Sequence, residues 1–296
     1  ATDAYNVAIG HGAGEAVTTG TLNTLVGGLT GDALTEGTRN VAVGKDALTA
    51  DTKGSRSTAV GFAALFSQNF TSATDAYNVA VGEQAGLLVT TGTRNTLIGA
   101  RSGDEITTAS QNTAVGYQAG YAVTTGTRNT FMGSNAGDAV TEGIQNVAIG
   151  REALGADTKG SNTVAIGNGA LRAQNFTSAT DVYNTAVGDQ AGTAVTTGVR
   201  NTLIGGISGE AITTASQNTA VGYSSLSSNT TGAYNTALGD ESLGSCTTGE
   251  NNTAVGNDAL YGTTTGIQNH GFGVEAGGSI TSGDNNVCVG FQAGHY

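Results

Sequence analysis

The side chains able to do chemistry are sparse in this chain. Three histidines, His11, His270 and His295, stand at unrelated intervals, so their spacing builds no metal cluster and sets no catalytic base beside a nucleophile. Solvated turn or surface positions are expected for them. Carboxylates recur at Glu15, Asp32, Asp104 and Asp138, each beside a glycine-rich turn. A glycosidase needs two carboxyls about 5–10 Å apart across a cleft, and the stacked architecture to which the spacing points offers none. Solubility or weak Ca²⁺ attraction is the expected role, since the Gly-Gly-x-Gly-x-Asp calcium motif is absent. Matches such as Gly10-His11-Gly12-Ala13-Gly14 precede no helix that would present its N-terminus to a phosphate. No catalytic, cofactor-binding or metal-binding residue is therefore assigned.

Binding is a better prospect. Phe70, Tyr77, Phe176 and Tyr183 gather rings into two short insertions of a chain with only 5% aromatic residues. Exposed, they could stack on a cell-surface glycan or meet a protein receptor; equally, they could pack over a neighbouring coil. Arg39, Arg56, Arg94, Arg128 and Arg200 share one column with Gln111, Gln145, Gln217 and Gln268. That column reads as a polar edge ladder, or as a glycan-contacting stripe.

The element that must position these residues is a repeat. One glycine recurs from Gly10 to Gly290, seventeen times; fourteen of the sixteen intervals are 17 residues and two are 21. With this glycine as position 0, position −4 is Asn in fifteen coils, with Ser57 and Thr163 as exceptions. Position −1 is always apolar, −2 usually Ala, and −3 Val or Thr except at His270. This β-branched run closed by a turn former predicts a short strand, and a second strand is expected over the stretch ending in Thr-Thr-Gly. No helical period is sustained. Two strands and two turns in 17 residues predict one coil of an all-β solenoid or β-roll, about seventeen coils in a single array over 1–296.

Position +4 is only Gly or Leu, and +7 changes with it. Gly120 goes with Val123 and Gly103 with Ile106, whereas Leu48, Leu154 and Leu226 go with Asp51, Asp157 and Asn229. One core slot filled from either side of a turn explains the exchange, because close packing penalises both a void and an overfill. Thr at +8 is uniform in the 17-residue coils while +9 varies, which predicts that +8 points inward or caps a turn. An ice-binding face of outward Thr ranks is thereby disfavoured. Both faces of the strand before the glycine carry apolar or small residues, so cover is expected on both. One side is the coil's interior. The Ala column at −2 would admit another chain, as in a parallel homotrimer, although a thin monomeric solenoid would also serve.

The insertions, near 66–77 and 172–183, lie 106 residues apart, and the first residues repeat the tail of the same motif. A longer parent array is the expectation. Composition fits thin layers rather than a thick core: 48 Gly, no Pro, no Trp and 11% charged residues. A net charge of −12 without a basic cluster argues against nucleic acid. No apolar run is long enough to insert in a membrane as a helix. Cys246 and Cys288 fall in different columns and are expected as free thiols.

Coils such as Asn112-Thr113-Ala114-Val115-Gly116-Tyr117-Gln118-Ala119-Gly120 and Asn235-Thr236-Ala237-Leu238-Gly239 resemble the 17-residue repeats of phage tail fibres and related surface proteins. In those proteins the array often precedes an endosialidase-type chaperone domain that trimerises the fibre and is lost. The strand is also similar to the head repeats of trimeric autotransporter adhesins, whose unit is usually shorter. The resemblance implies a homotrimeric, extracellular structural element on a virion or cell surface. Its expected work is to project a host-binding region, as a fibre shaft or adhesin segment. A bacterial surface adhesin or self-assembling filament is the alternative, and a polysaccharide depolymerase a minor one.

Overall fold

The computed structural model describes residues 4–295. The chain divides into two compact units, Ala1–Asn146 and Val147–Tyr296. Each is a parallel β-solenoid, with eight three-residue strands in the first and nine in the second, about seventeen turns in all and no helix among the described residues. Within each unit successive strands pair parallel and in register, so that Thr113, Ala114 and Val115 face Thr130, Phe131 and Met132 one coil later. The β-branched residues at −3 and −1 favour this extended segment. The glycine ends it: at Gly116 φ is +138°, and a Cβ would stand 2.5 Å from the carbonyl oxygen of Gly133 in the next coil. No other residue fits so close a backbone approach.

Among the described residues the expected second strand forms only where each inserted coil meets the coil before it, Gly54–Ser55 pairing with Thr74–Asp75 and Gly160–Ser161 with Thr180–Asp181. Elsewhere the Thr-Thr-Gly stretch bends instead. The N–H groups of Thr124, Thr125 and Gly126 converge on the one carbonyl of Thr141, and a chain that aims three donors at one acceptor cannot run as a ladder. Thr124 Oγ1 donates to the same carbonyl at 3.3 Å, and the corresponding bond repeats along the +8 column, for example from Thr35 to Thr52 at 3.0 Å. Position +8 thus caps the turn, while Glu36 and Thr91 at +9 are exposed.

Three residues per coil, at +2, +4 and −5, adopt left-handed φ throughout. They turn the chain sharply enough to close a coil in 17 residues, and they keep the stretches around them from extending.

Facing is set by the pleat. Positions −2 and −4 point into the coil's own interior, where the Ala column is buried from Ala42 to Ala254. The outward residues are −1 and −3. The Ala column therefore packs inside its own chain rather than opening to another, and on the strand the apolar side chains that meet solvent are the Val, Ile, Leu, Met and Phe at −1, next to exposed +1 side chains such as Phe62, Tyr117 and Tyr223. The interior is already filled by Ala at −2 and +3, Asn at −4 and one large group per coil, which leaves only −1 and −3 free to point away.

That large group comes from three positions rather than two. Where −2 is Leu or Phe, its side chain enters the slot: a Cβ added to Gly120 would meet Phe131 Cδ2 at 2.7 Å, and one added to Gly103 would meet Leu97 Cδ2 at 2.7 Å and Ile106 Cδ1 at 2.8 Å. Leu25, Leu97, Phe131 and Leu203 each contact a +4 glycine in their own coil and in the coil before it. Every +4 leucine, Leu65 and Leu260 included, has Ala or Gly at the corresponding −2 positions. In the coils of Leu48 and Leu226 the +7 residue turns to the backbone instead: Asp51 accepts from Gly54 N at 3.0 Å and Asn229 from Gly232 N at 2.9 Å.

Candidate interaction surface

Inside each unit an asparagine ladder fastens coil to coil. Asn112 Oδ1 accepts from the backbone N–H of Asn129, 3.0 Å, and Asn112 Nδ2 donates to the carbonyl of Gly126, 2.9 Å. One side chain thereby satisfies two buried backbone groups. Ser57 and Thr163 are too short to do this. In both places a glutamine from the +7 position of the inserted coil crosses the interior. Gln68 Nε2 donates to Ser57 Oγ, 3.0 Å, and to Asp51 Oδ2, 2.6 Å, while its Oε1 accepts from Asn78 Nδ2, 2.9 Å. Gln174 repeats this with Thr163 Oγ1, 3.1 Å, Asp157 Oδ2, 2.6 Å, and Asn184 Nδ2, 2.9 Å. Asp51 Oδ1 also accepts from Phe70 N at 3.1 Å, and Asp157 Oδ1 from Phe176 N at 3.0 Å. Burial pushes the Asp51 carboxyl above its usual range, against the pull of these donors.

The network seats the insertions. Phe70 and Phe176 are 6% and 8% exposed and pack as lids, whereas Tyr77 and Tyr183 are 44% and 54% exposed. Of the four aromatic candidates, only the tyrosines present ring surface. Arg56 lies over the Tyr77 ring, 5.4 Å from its centre, and its Nε donates to Asp75 at 2.9 Å. Tyr183 has Asn162 in place of the arginine, bonded to Asp181 at 2.8 Å. Both tyrosines occupy position −5, in one column with Arg39, Arg94, Gln217 and Tyr234. The two insertions therefore add aromatic side chains to a stripe that the repeat already carries.

The histidines occupy different columns, His11 at +1, His270 at −3 and His295 beyond the last repeat glycine. Among the described residues no group of three or more His, Cys, Asp or Glu side chains is placed to hold a metal ion. Among them too, no helix is long and apolar enough to cross a membrane. Cys246 and Cys288 are free and buried, and burial pushes the Cys246 thiol up to about 11. Outward features among the described residues include the apolar strand face, exposed +1 side chains such as Tyr117 and Tyr223, the −5 column and the two insertions. No protein-family model matches it, and neither does any curated protein.

Proposed function

We propose that the chain is a structural segment of a surface fibre or adhesin, a stiff array that assembles as a parallel homotrimer and carries a receptor-binding surface away from a virion or cell. The reading rests on the outward strand face. Inside the end coils, Ile98 and Met132 of the first unit and Ile204, Leu238 and Phe272 of the second are 37–41% exposed at −1, and within each unit the parallel register sets one apolar side chain per rung. A row of this kind is a poor surface for a lone chain in water. Two further chains in the same direction would cover it with matching rows, rung against rung.

The ladders supply what such a segment needs. Backbone bonds between coils, the asparagine ladder and the +8 threonine ladder tie each coil to its neighbours, so stiffness accrues coil by coil. Charge serves solubility, with a net −12 spread over turns. The test is the mass in solution by light scattering. Three times the 29.2 kDa chain is expected, falling to one chain in the variant Ile204→Glu/Leu238→Glu; a monomeric mass for the unaltered chain would sink the proposal.

A further inference from the structure

The −5 column is left-handed in all seventeen coils, φ between +48° and +63°. A side chain there costs roughly 1–2 kcal/mol against glycine. The chain has 48 glycines, yet places none at this position, and no alanine either. The +2 column, equally left-handed, admits Gly12, Gly169, Ala63 and Ser224. Backbone strain kept for the sake of large side chains points to a use for those side chains.

Their chemistry differs along the molecule. In the first unit four of its nine residues are arginine, and Arg56 and Arg128 are engaged with Asp75 and Gln111. From Gln217 onward it is neutral: Gln217, Tyr234, Asn251, Gln268 and Asn285. Beside its last four residues runs an open groove of about 520 Å³, completed by His270 and Val287 of the −3 column. The side chains of Tyr234, Asn251, Gln268 and Asn285 make no hydrogen bond among the described residues. The Tyr234 ring is 55% exposed at one end of the groove. No carboxylate, lysine or arginine lines it.

We infer that this groove binds a neutral, extended oligosaccharide. A phenol ring offers a face for the C–H side of a sugar ring. Each amide offers both donors and an acceptor, which suits hydroxyls that donate and accept in turn. The amides stand one per rung, about 4.8 Å apart, so the ligand is a linear chain of sugars running from rung to rung. The absence of charged walls leaves an acidic glycan without a partner. The inference deepens the receptor-binding part of the fibre proposal and takes its biological sense from it. Because His270 and Val287 belong to the strand face as well, trimer formation would set a neighbouring chain at the groove's edge, and the full assembled chain is the proper sample.

The experiment titrates the full chain with neutral linear tetrasaccharides, cellotetraose and lacto-N-tetraose, and with a sialylated tetrasaccharide, by calorimetry and saturation-transfer NMR. Saturable binding of a neutral probe is expected, weakened at least tenfold by Tyr234→Ala and by Gln268→Gly. The second variant should hold or raise the thermal midpoint, since it relieves a strained φ; a purely structural side chain would lower it. Binding of the sialylated probe alone, no binding at all, or binding indifferent to both variants would overturn the inference. Light scattering on the same samples separates the two proposals. A monomeric mass with saccharide bound sinks the trimer and leaves the groove, whereas a trimeric mass without binding does the reverse.

Discussion

An ordinary coil and an inserted coil tie their interiors together differently: through the backbone in the first, through side chains in the second. Around Asn112 a local side chain satisfies the two buried backbone groups nearest it, and the solution is copied rung after rung. Around Ser57 the local side chain is too short, and Gln68 reaches across the interior, bringing Asp51 with it. The ordinary route is modular, since removing one rung leaves its neighbours' bonds in place. The crossing route concentrates several groups, one of them a buried carboxyl, on a single amide. The lesson is that the interior accepts a shorter side chain at −4 where a glutamine from another part of the coil reaches in and bonds the side chains around it.

The largest expected effect follows from that concentration. Gln68→Leu strips Asp51 Oδ2, Ser57 Oγ and Asn78 Nδ2 of a partner at once, and should cost about 4 kcal/mol, since buried groups lose about 1–3 kcal/mol each and charged ones more. Asn112→Leu orphans the Asn129 N–H and the Gly126 carbonyl, for about 3 kcal/mol. Because coils open locally, hydrogen exchange read at Phe70, whose N–H donates to Asp51, and at Asn129 is the measurement. Equal protection loss in the two variants would erase the distinction between the routes.

The core slot gives a smaller effect. Gly120→Leu drives a side chain into Phe131, for about 2 kcal/mol of overpacking. Adding Phe131→Ala should recover at least half of that in denaturant melts; no recovery would show that the slot is not shared with position −2.

The smallest effect is in pH. The folded Asp51 carboxyl sits above its ordinary value, so between the unfolded value, about 3.9, and its own the folded chain holds a proton that the unfolded chain gives up. Its contribution to stability therefore grows as pH falls through the folded value, is complete below the unfolded one, and is lost as pH rises. Stability measured from pH 7 down to 4 should carry this component in the unaltered chain and lack it in Asp51→Asn. Identical slopes would remove the carboxyl from the account.

Much of this was legible as columns. The glycine, the short strand, the turn-capping threonine and the exchange between +4 and +7 all follow from residue types at fixed offsets. The third occupant of the slot was also written there, since each of Leu25, Leu97, Phe131 and Leu203 falls between two coils with Gly at +4. That signal is hidden only while −2 is read as an alanine column with exceptions. The crossing glutamines coincide with the two coils that lack Asn at −4, but their bonds to Asp51 and Asp157 span 17 residues and depend on which way each side chain points. The left-handed −5 column was not legible, because left-handed φ is inferred from glycine and this column has none. Nor was the facing of the strand, as both faces carry small or apolar residues and only closure of the coil decides which is inside.

The central claim, that outward rows at −1 meet like rows of other chains in parallel, is tested most directly by a disulfide at one rung. Leu238→Cys puts a thiol on the outward face, with Cys246 and Cys288 buried out of reach. Oxidation should join chains through Cys at position 238 on both sides, and peptide mapping should find that same-position link. Oxidised protein that remains uncrosslinked while trimeric mass is absent, or links joining position 238 to a distant rung, would contradict the parallel assembly.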